Sequence, residues 1–126
     1  MPSHQRSTVF DWNHLAVIPT PKGARRDLCD VATATLDRFE CHVTTLNAGE
    51  VPHEPHRHPD EELIIVKEGT LEVTINGQSH PATAGSVIFL ASQDFHGLRN
   101  AGSGTATYYV QRWTSPGREG PQPPEV

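Results

Sequence analysis

Long apolar runs, clustered basic residues and cysteine are scarce in this chain. Hydrophobic residues make up 35% of its 126 positions and aromatics 6%. No stretch approaches the roughly 20 apolar residues of a membrane-spanning helix, so a helical membrane protein is not expected. Lys and Arg number 10 against 15 Asp and Glu, a net charge of −5, and the cations are scattered. Nucleic acid and anionic membrane surfaces are bound through basic patches, so neither is an expected partner. The opening "MPSHQRSTVFDW" lacks the apolar core of a secretory leader and reads as cytoplasmic. A chain whose leader had been removed would begin the same way and would be secreted. Cys29 and Cys41, with eleven residues between them, fit no zinc or redox spacing. They read as reduced, partly buried thiols; export would allow a disulfide between them.

The length suits one domain with a single modest core. Pro19, Pro21 and Gly23 in "IPTPKG" preclude a long helix there. Residues 1–30 therefore read as an irregular arm with one short strand near Val9 and Phe10. At the other end "SPGREGPQPPEV" has nothing to bury, so residues 115–126 are expected to form a flexible tail. Between them, 31–114 is a succession of short strands. "TLDRFECHVTTL" alternates, with Phe39, Cys41 and Val43 on one face and Glu40, His42 and Thr44 on the other. "ELIIVKEG" and "GSVIFL" are mostly apolar. "TLEVTINGQS" ends in Asn76-Gly77, a strong hairpin signal, and "TATYYVQRW" is an aromatic last strand. Short strands separated by turn signals imply an all-β sandwich or barrel.

Histidine is what the chain does have, and it is concentrated in "VPHEPHRHPDEELIIVKEG". His56 and His58 are two apart, a spacing that puts both side chains on one face of a strand. Two imidazoles so placed can converge on one ion at about 2.0–2.1 Å from each nitrogen. Glu62 begins the next strand and can return its carboxylate to the same point. His96, just beyond "GSVIFLASQDF", is the candidate third imidazole. His53 precedes His56 by three; Pro52 and Pro55 can bend the chain and swing it inward as a substrate-facing or catalytic group. Glu61 should face solvent, and His42, on the polar face of its strand, reads as exposed, with a barrel-lining role as the alternative. His4, His14 and His80 receive no role.

These residues resemble the two motifs of the cupin superfamily. The first, H-x-H, three residues, E, six residues, G, is matched without a gap by His56, His58, Glu62 and Gly69. The leading glycine corresponds to Gly49, one residue further upstream than usual. The second is G, five residues, P-x-G, two residues, H, three residues, N. Gly85, His96 and Asn100 match it, but Ala91 replaces the usual proline and Gln93 the usual glycine. Both departures fall on a turn and not on a ligand.

The resemblance implies a double-stranded β-helix, or jelly roll, with one divalent metal held by His56, His58, Glu62 and His96, and commonly a homodimer. It makes Asn100 a turn-closing structural residue. Three imidazoles and a carboxylate suit Fe, Cu, Zn, Mn or Ni; Ca and Mg prefer oxygen shells. Copper or iron oxidoreductase chemistry on a small organic or carbohydrate substrate is the first expectation, with Glu62 as labile ligand and base. A Zn, Mn or Ni Lewis-acid isomerase or cyclase for a sugar or polyketide is the second. A non-catalytic ligand-binding module is the third. Tyr109, Gln111 and Trp113 share one face of the last strand and are the candidates for holding substrate, with Phe89 and Phe95 as core or pocket wall.

Overall fold

The structure is a computed structural model and describes residues 4–116. The expected flexible tail, 115–126, lies almost wholly outside the described residues. Nine strands are described: β1 (Ile18–Thr20), β2 (Gly23–Val31), β3 (Arg38–Leu46), β4 (Glu61–Glu68), β5 (Thr70–Ile75), β6 (Gln78–Thr83), β7 (Val87–Leu90), β8 (His96–Asn100) and β9 (Ala106–Thr114). They form a six-stranded sheet in the order β1-β2-β3-β9-β4-β7 and a three-stranded sheet in the order β6-β5-β8, with every pairing antiparallel. No helix among the described residues is long and apolar enough to cross a membrane. The all-β fold expected from the strand spacing, and the jelly roll that the resemblance implies, are what the structure has.

The two sheets close on one core. Leu46, Ile64, Val66, Ile88, Leu90, Tyr108 and Val110 from the large sheet meet Leu71, Val73 and Ala82 from the small one. Strands β4, β5, β7 and β9 contribute alternate residues, as the period of two requires. Asn76 and Gly77 form a two-residue hairpin between β5 and β6, both with positive φ (48° and 85°), so this turn signal is borne out. Gly69 makes the tight turn from β4 to β5. Its φ is 87°, and a Cβ there would lie 2.7 Å from the Ala106 Cα, so no other residue fits.

The segment expected to be an irregular arm is ordered into the sheet from residue 18 onward. β1 and β2 pair through a turn in which "TPKG" reverses the chain, so the proline and glycine cluster marks a hairpin rather than a loose arm. Val9 and Phe10 form no strand. Trp12 instead lies on the outer face of the large sheet, 6.1 Å from the Tyr109 ring, with Arg26 and Lys67 over its ring at 4.2 and 4.3 Å. Cys29 and Cys41 are cross-strand partners between β2 and β3, and both are free thiols. Burial pushes the Cys41 thiol up to about 11, which leaves it unreactive as a nucleophile.

Candidate metal centre

Three backbone devices bring the histidines together. His56 exchanges two hydrogen bonds with His96, each 2.9 Å, in an isolated antiparallel bridge at the start of β8. The Gln93 N–H donates to the His58 carbonyl at 2.8 Å, tying the turn before β8 to the other end of the H-x-H segment. Asn76, at the hairpin tip, holds the same turn: its side-chain oxygen accepts from the Phe95 N–H at 2.9 Å and its amide donates to Asp94 at 3.0 Å. The H-x-H segment is therefore not a regular strand. Pro55 and Pro59 flank it, and a single bridge stands in for a ladder.

Gln93 explains how the chain keeps this turn without the usual glycine. Its φ is 69°, the left-handed conformation that the glycine normally supplies. Asn100 is fully buried, and its amide donates to the carbonyls of Leu46 (3.0 Å) and Gly104 (2.8 Å) while its oxygen accepts from Gly102 N–H (2.9 Å). It closes the turn after β8, as expected.

One ring nitrogen from each of His56, His58 and His96 lies within 4.8 Å of the others, an arrangement that could hold a metal ion. The ring centroids of these three are 4.9 Å apart pairwise and the planes are nearly perpendicular, so the nitrogens converge while the rings do not stack. Backbone carbonyls fix two of the rings from behind: Asp60 O lies 2.9 Å from His58 Nδ1 and Asp94 O lies 3.1 Å from His96 Nδ1. Such bonds place a proton on Nδ1; in His96 this leaves Nε2 free for a ligand role, whereas His58 Nε2 also faces the Glu62 carboxylate. Glu62 lies beside the group, with Oε1 3.1 Å from His58 Nε2 and 4.0 Å from His96 Nε2.

The electrostatics suit a donor set that could hold a cation. His96 Nε2 is completely buried and has no hydrogen-bond partner, which costs free energy unless something occupies the centre of the cluster. Burial and the neighbouring imidazoles hold His56 down at about 4, and burial likewise lowers His96. Both rings are thus neutral near pH 7, the form that ligates. The hydrogen bond to Glu62 raises His58. Burial alone would raise Glu62, but the His58 bond and the charges of His96, His58 and Arg112 outweigh it and lower the carboxyl.

A cavity of about 420 Å³ opens from this cluster into the barrel. Its inner wall follows from register, because cross-strand partners share a face. Glu40, Arg112 and Glu62 form one row across β3, β9 and β4; His42, Val110 and Ile64 form the next; Thr44, Tyr108 and Val66 form the third. The candidates Tyr109, Gln111 and Trp113 are therefore corrected: they are absent from the cavity wall, and Tyr108, Val110 and Arg112 line it instead. Tyr109 packs against Trp12 outside, and Trp113 lies 6.4 Å from the Phe89 ring. Phe89, 52% exposed, is likewise neither core nor pocket wall.

For His42 the alternative holds: it is not exposed but half-buried on the cavity wall, beside buried Glu40. The signal available in the sequence was the Glu40, His42 and Thr44 face of β3, whose polarity lines the barrel and not the solvent. His53 sits at the cavity mouth, its ring stacked on His56 at 4.1 Å. It stays exposed and outside the converging group. Glu61 turns away from the cavity lining, as its parity requires.

The cupin-domain family model matches residues 42–111, more than half of the chain and including both motifs. The chain belongs to the cupin family. Solved structures similar to this cupin include an RmlC-like cupin from Shewanella frigidimarina (16% identity, 91% of this chain and 97% of that one, TM-score 0.71). The polyketide cyclase RemF from Streptomyces resistomycificus is 19% identical, covering 95% and 89%, with TM-score 0.68. A sugar phosphate isomerase of the cupin superfamily from Silicibacter pomeroyi is 18% identical, covering 86% and 77%, with TM-score 0.66. No curated protein matches the chain. At these identities the likeness is one of fold.

Proposed function

We propose that this cupin is a metal-dependent enzyme for a small oxygen-bearing organic molecule, holding one divalent transition metal per chain through His56, His58, His96 and Glu62. The observation that carries this reading is the convergence of three imidazoles around a buried His96 Nε2 that has no protein partner. When bound, the metal supplies Lewis-acid polarisation of a substrate oxygen. His58 and His96 need no reorientation to serve, since their Nδ1 atoms are already anchored to backbone carbonyls. Glu62 exchanges its hydrogen bond to His58 for a ligand role and can accept a proton from a bound substrate. His53, stacked at the mouth, is the substrate-facing residue on the entry side. Zn, Mn or Ni is the favoured ion in this non-redox reading. Among the similar structures, one is named a polyketide cyclase and another a sugar phosphate isomerase, and both names support it.

A second reading keeps the site and adds electron transfer: an iron or copper oxidoreductase acting with dioxygen on a phenol, diketone or carbohydrate. Ile64, Val73, Leu90 and Leu98 favour it, because they give the cavity an apolar wall that excludes competing water. Homodimerisation also belongs to this proposal. Val87 and Phe89, exposed at 61% and 52% on β7, support a sheet face that a second copy covers, and sedimentation at two concentrations tests it.

Elemental analysis decides between the readings. Untagged protein, briefly chelated and dialysed, is analysed beside His56→Ala, His96→Ala and His4→Ala. Zinc, manganese or nickel near one per chain, lost in the first two variants and kept in the third, is the expected result. Iron or copper lost in the same way moves the assignment to the redox reading, to be followed by oxygen consumption. Equal metal in all four samples sinks the site and leaves a non-catalytic ligand-binding module.

A further inference from the structure

Outside the histidine cluster, a second pair of titratable side chains faces the cavity. His42 Nδ1 lies 2.7 and 2.8 Å from the two carboxylate oxygens of Glu40. Glu40 is itself only 7% exposed, and its Oε1 is 3.6 Å from the Arg25 guanidinium. A carboxylate that grips one ring nitrogen with both oxygens fixes the proton of the neutral ring on Nδ1 and leaves the Nε2 lone pair free. Nε2 makes no hydrogen bond among the described residues, and unlike His96 Nε2 it is not sealed from solvent. The pair is also set apart from the metal cluster. Glu40 and Glu62 flank Arg112 in one row across three strands, so their backbones are roughly 10 Å apart at about 4.8 Å per strand. His42 belongs to the next row, with Val110 and Ile64, and lines the same cavity as His56 and His96.

We infer that His42 is a catalytic proton acceptor and donor of this cavity, that Glu40 is its positioning residue, and that the substrate is a small hydroxy-carbonyl compound. This rests on the metal reading above, because it needs the substrate oxygen held at the cluster while a carbon faces His42. Nε2 takes the proton from the hydroxyl-bearing carbon beside the carbonyl. The electron pair of the broken C–H bond forms the C=C bond of an enediolate, and the carbonyl π pair goes to its oxygen. Transfer of the hydroxyl proton to that oxygen, and return of the Nε2 proton to the former carbonyl carbon, moves the carbonyl along by one carbon. Atoms and electrons balance with no oxidant, reductant or co-reactant. Glu40 stabilises the transient imidazolium, as a buried carboxylate on Nδ1 does in hydrolytic triads.

The test reads the ring itself. Long-range ¹H–¹⁵N spectra of the full chain, with and without zinc, report the tautomer of each histidine. The expected result is His42 protonated at Nδ1 and bare at Nε2, with the proton shifting to Nε2 in Glu40→Gln, whose amide donates to Nδ1. The zinc-loaded protein is then incubated with hydroxyacetone in D₂O. Deuterium should enter the carbon positions about 100-fold more slowly in His42→Gln than in wild type, at unchanged zinc content. A wild-type His42 protonated at Nε2, a tautomer unmoved by Glu40→Gln, or exchange equal in wild type and His42→Gln overturns the inference. The wild-type spectrum decides even if Glu40→Gln fails to fold. Failure of the metal reading shows separately, as zinc absent from wild type.

Discussion

The two ends of the barrel interior are made by the same strands and have opposite chemistry. At the mouth, one row across β3, β9 and β4 carries Glu40, Arg112 and Glu62, with the imidazole cluster beside it. Two rows deeper the same strands carry Thr44, Tyr108 and Val66, and Leu46, Ile64, Leu71 and Val73 close the floor. Both ends are buried: Glu62 and Glu40 at the mouth are each 7% exposed, and Val66 and Tyr108 at the floor 1% and 2%. Partners distinguish them. The floor is a cluster of apolar contacts with neutral hydrogen bonds at its edge, whereas the mouth holds charges that pair with one another or with a cation. Stability should therefore reside in the floor and ligand binding in the mouth.

Truncation at the floor should give the largest loss. Leu71 is fully buried, and Leu71→Ala should cost about 3–5 kcal/mol in chemical denaturation of the metal-free protein, since the cavity left behind cannot collapse. Metal content per folded chain should not change. A matching loss of metal would show that floor and mouth are not separable.

At the mouth the effect should be on affinity. His96→Ala should weaken zinc binding more than about 100-fold, beyond the 10–100-fold typical of removing an outer partner, read by competition with a chelator. Unfolding of the metal-free variant should stay near wild type, because the lost side chain carries an unpartnered buried nitrogen. Gly69→Ala lies between the two ends. It should cost about 2 kcal/mol through a forced positive φ and a clash with Ala106, with the zinc affinity preserved.

The pH dependence separates the ends further. His56 is held down at about 4 in the folded protein against 6.5 unfolded, so between those values the unfolded chain binds more protons. Metal-free protein should accordingly lose stability as pH falls from 6.5 towards 4, and His56→Gln should flatten that part of the profile. An unchanged slope in His56→Gln would assign the titration to another group. The smallest effect is expected at the turn before β8. Gln93→Gly should relieve the left-handed strain and stabilise by about 0.5–1 kcal/mol in thermal unfolding, offset in part by the glycine's extra unfolded-state entropy.

Much of this was legible from the chain alone where a local rule decides it. Asn76-Gly77 needs only two positive φ angles to make a hairpin, and the structure has them. The ligand spacing around His56, His58, Glu62 and His96 pointed to one locus, and the backbone brings these residues there. Local reading failed on which face of a strand turns inward. On β9 it chose Tyr109, Gln111 and Trp113 because aromatics favour pockets, but pairing Arg112 with Glu62 and Val110 with Ile64 fixes the opposite parity. On β3 the polar face of His42 was read first as the solvent face, and the barrel-lining alternative is the one that holds.

What the sequence by itself determined is the class of fold, the turns and the identity of the converging histidines, because periodicity, turn chemistry and motif spacing are properties of neighbouring residues. Only the tertiary structure decided that Glu40 and His42 face the cavity, that residues 18–31 extend the large sheet, and that Trp12 covers the outer face. Those outcomes depend on register between strands far apart in sequence. A shift of one residue exchanges every inward side chain for an outward one, and no local pattern encodes that choice.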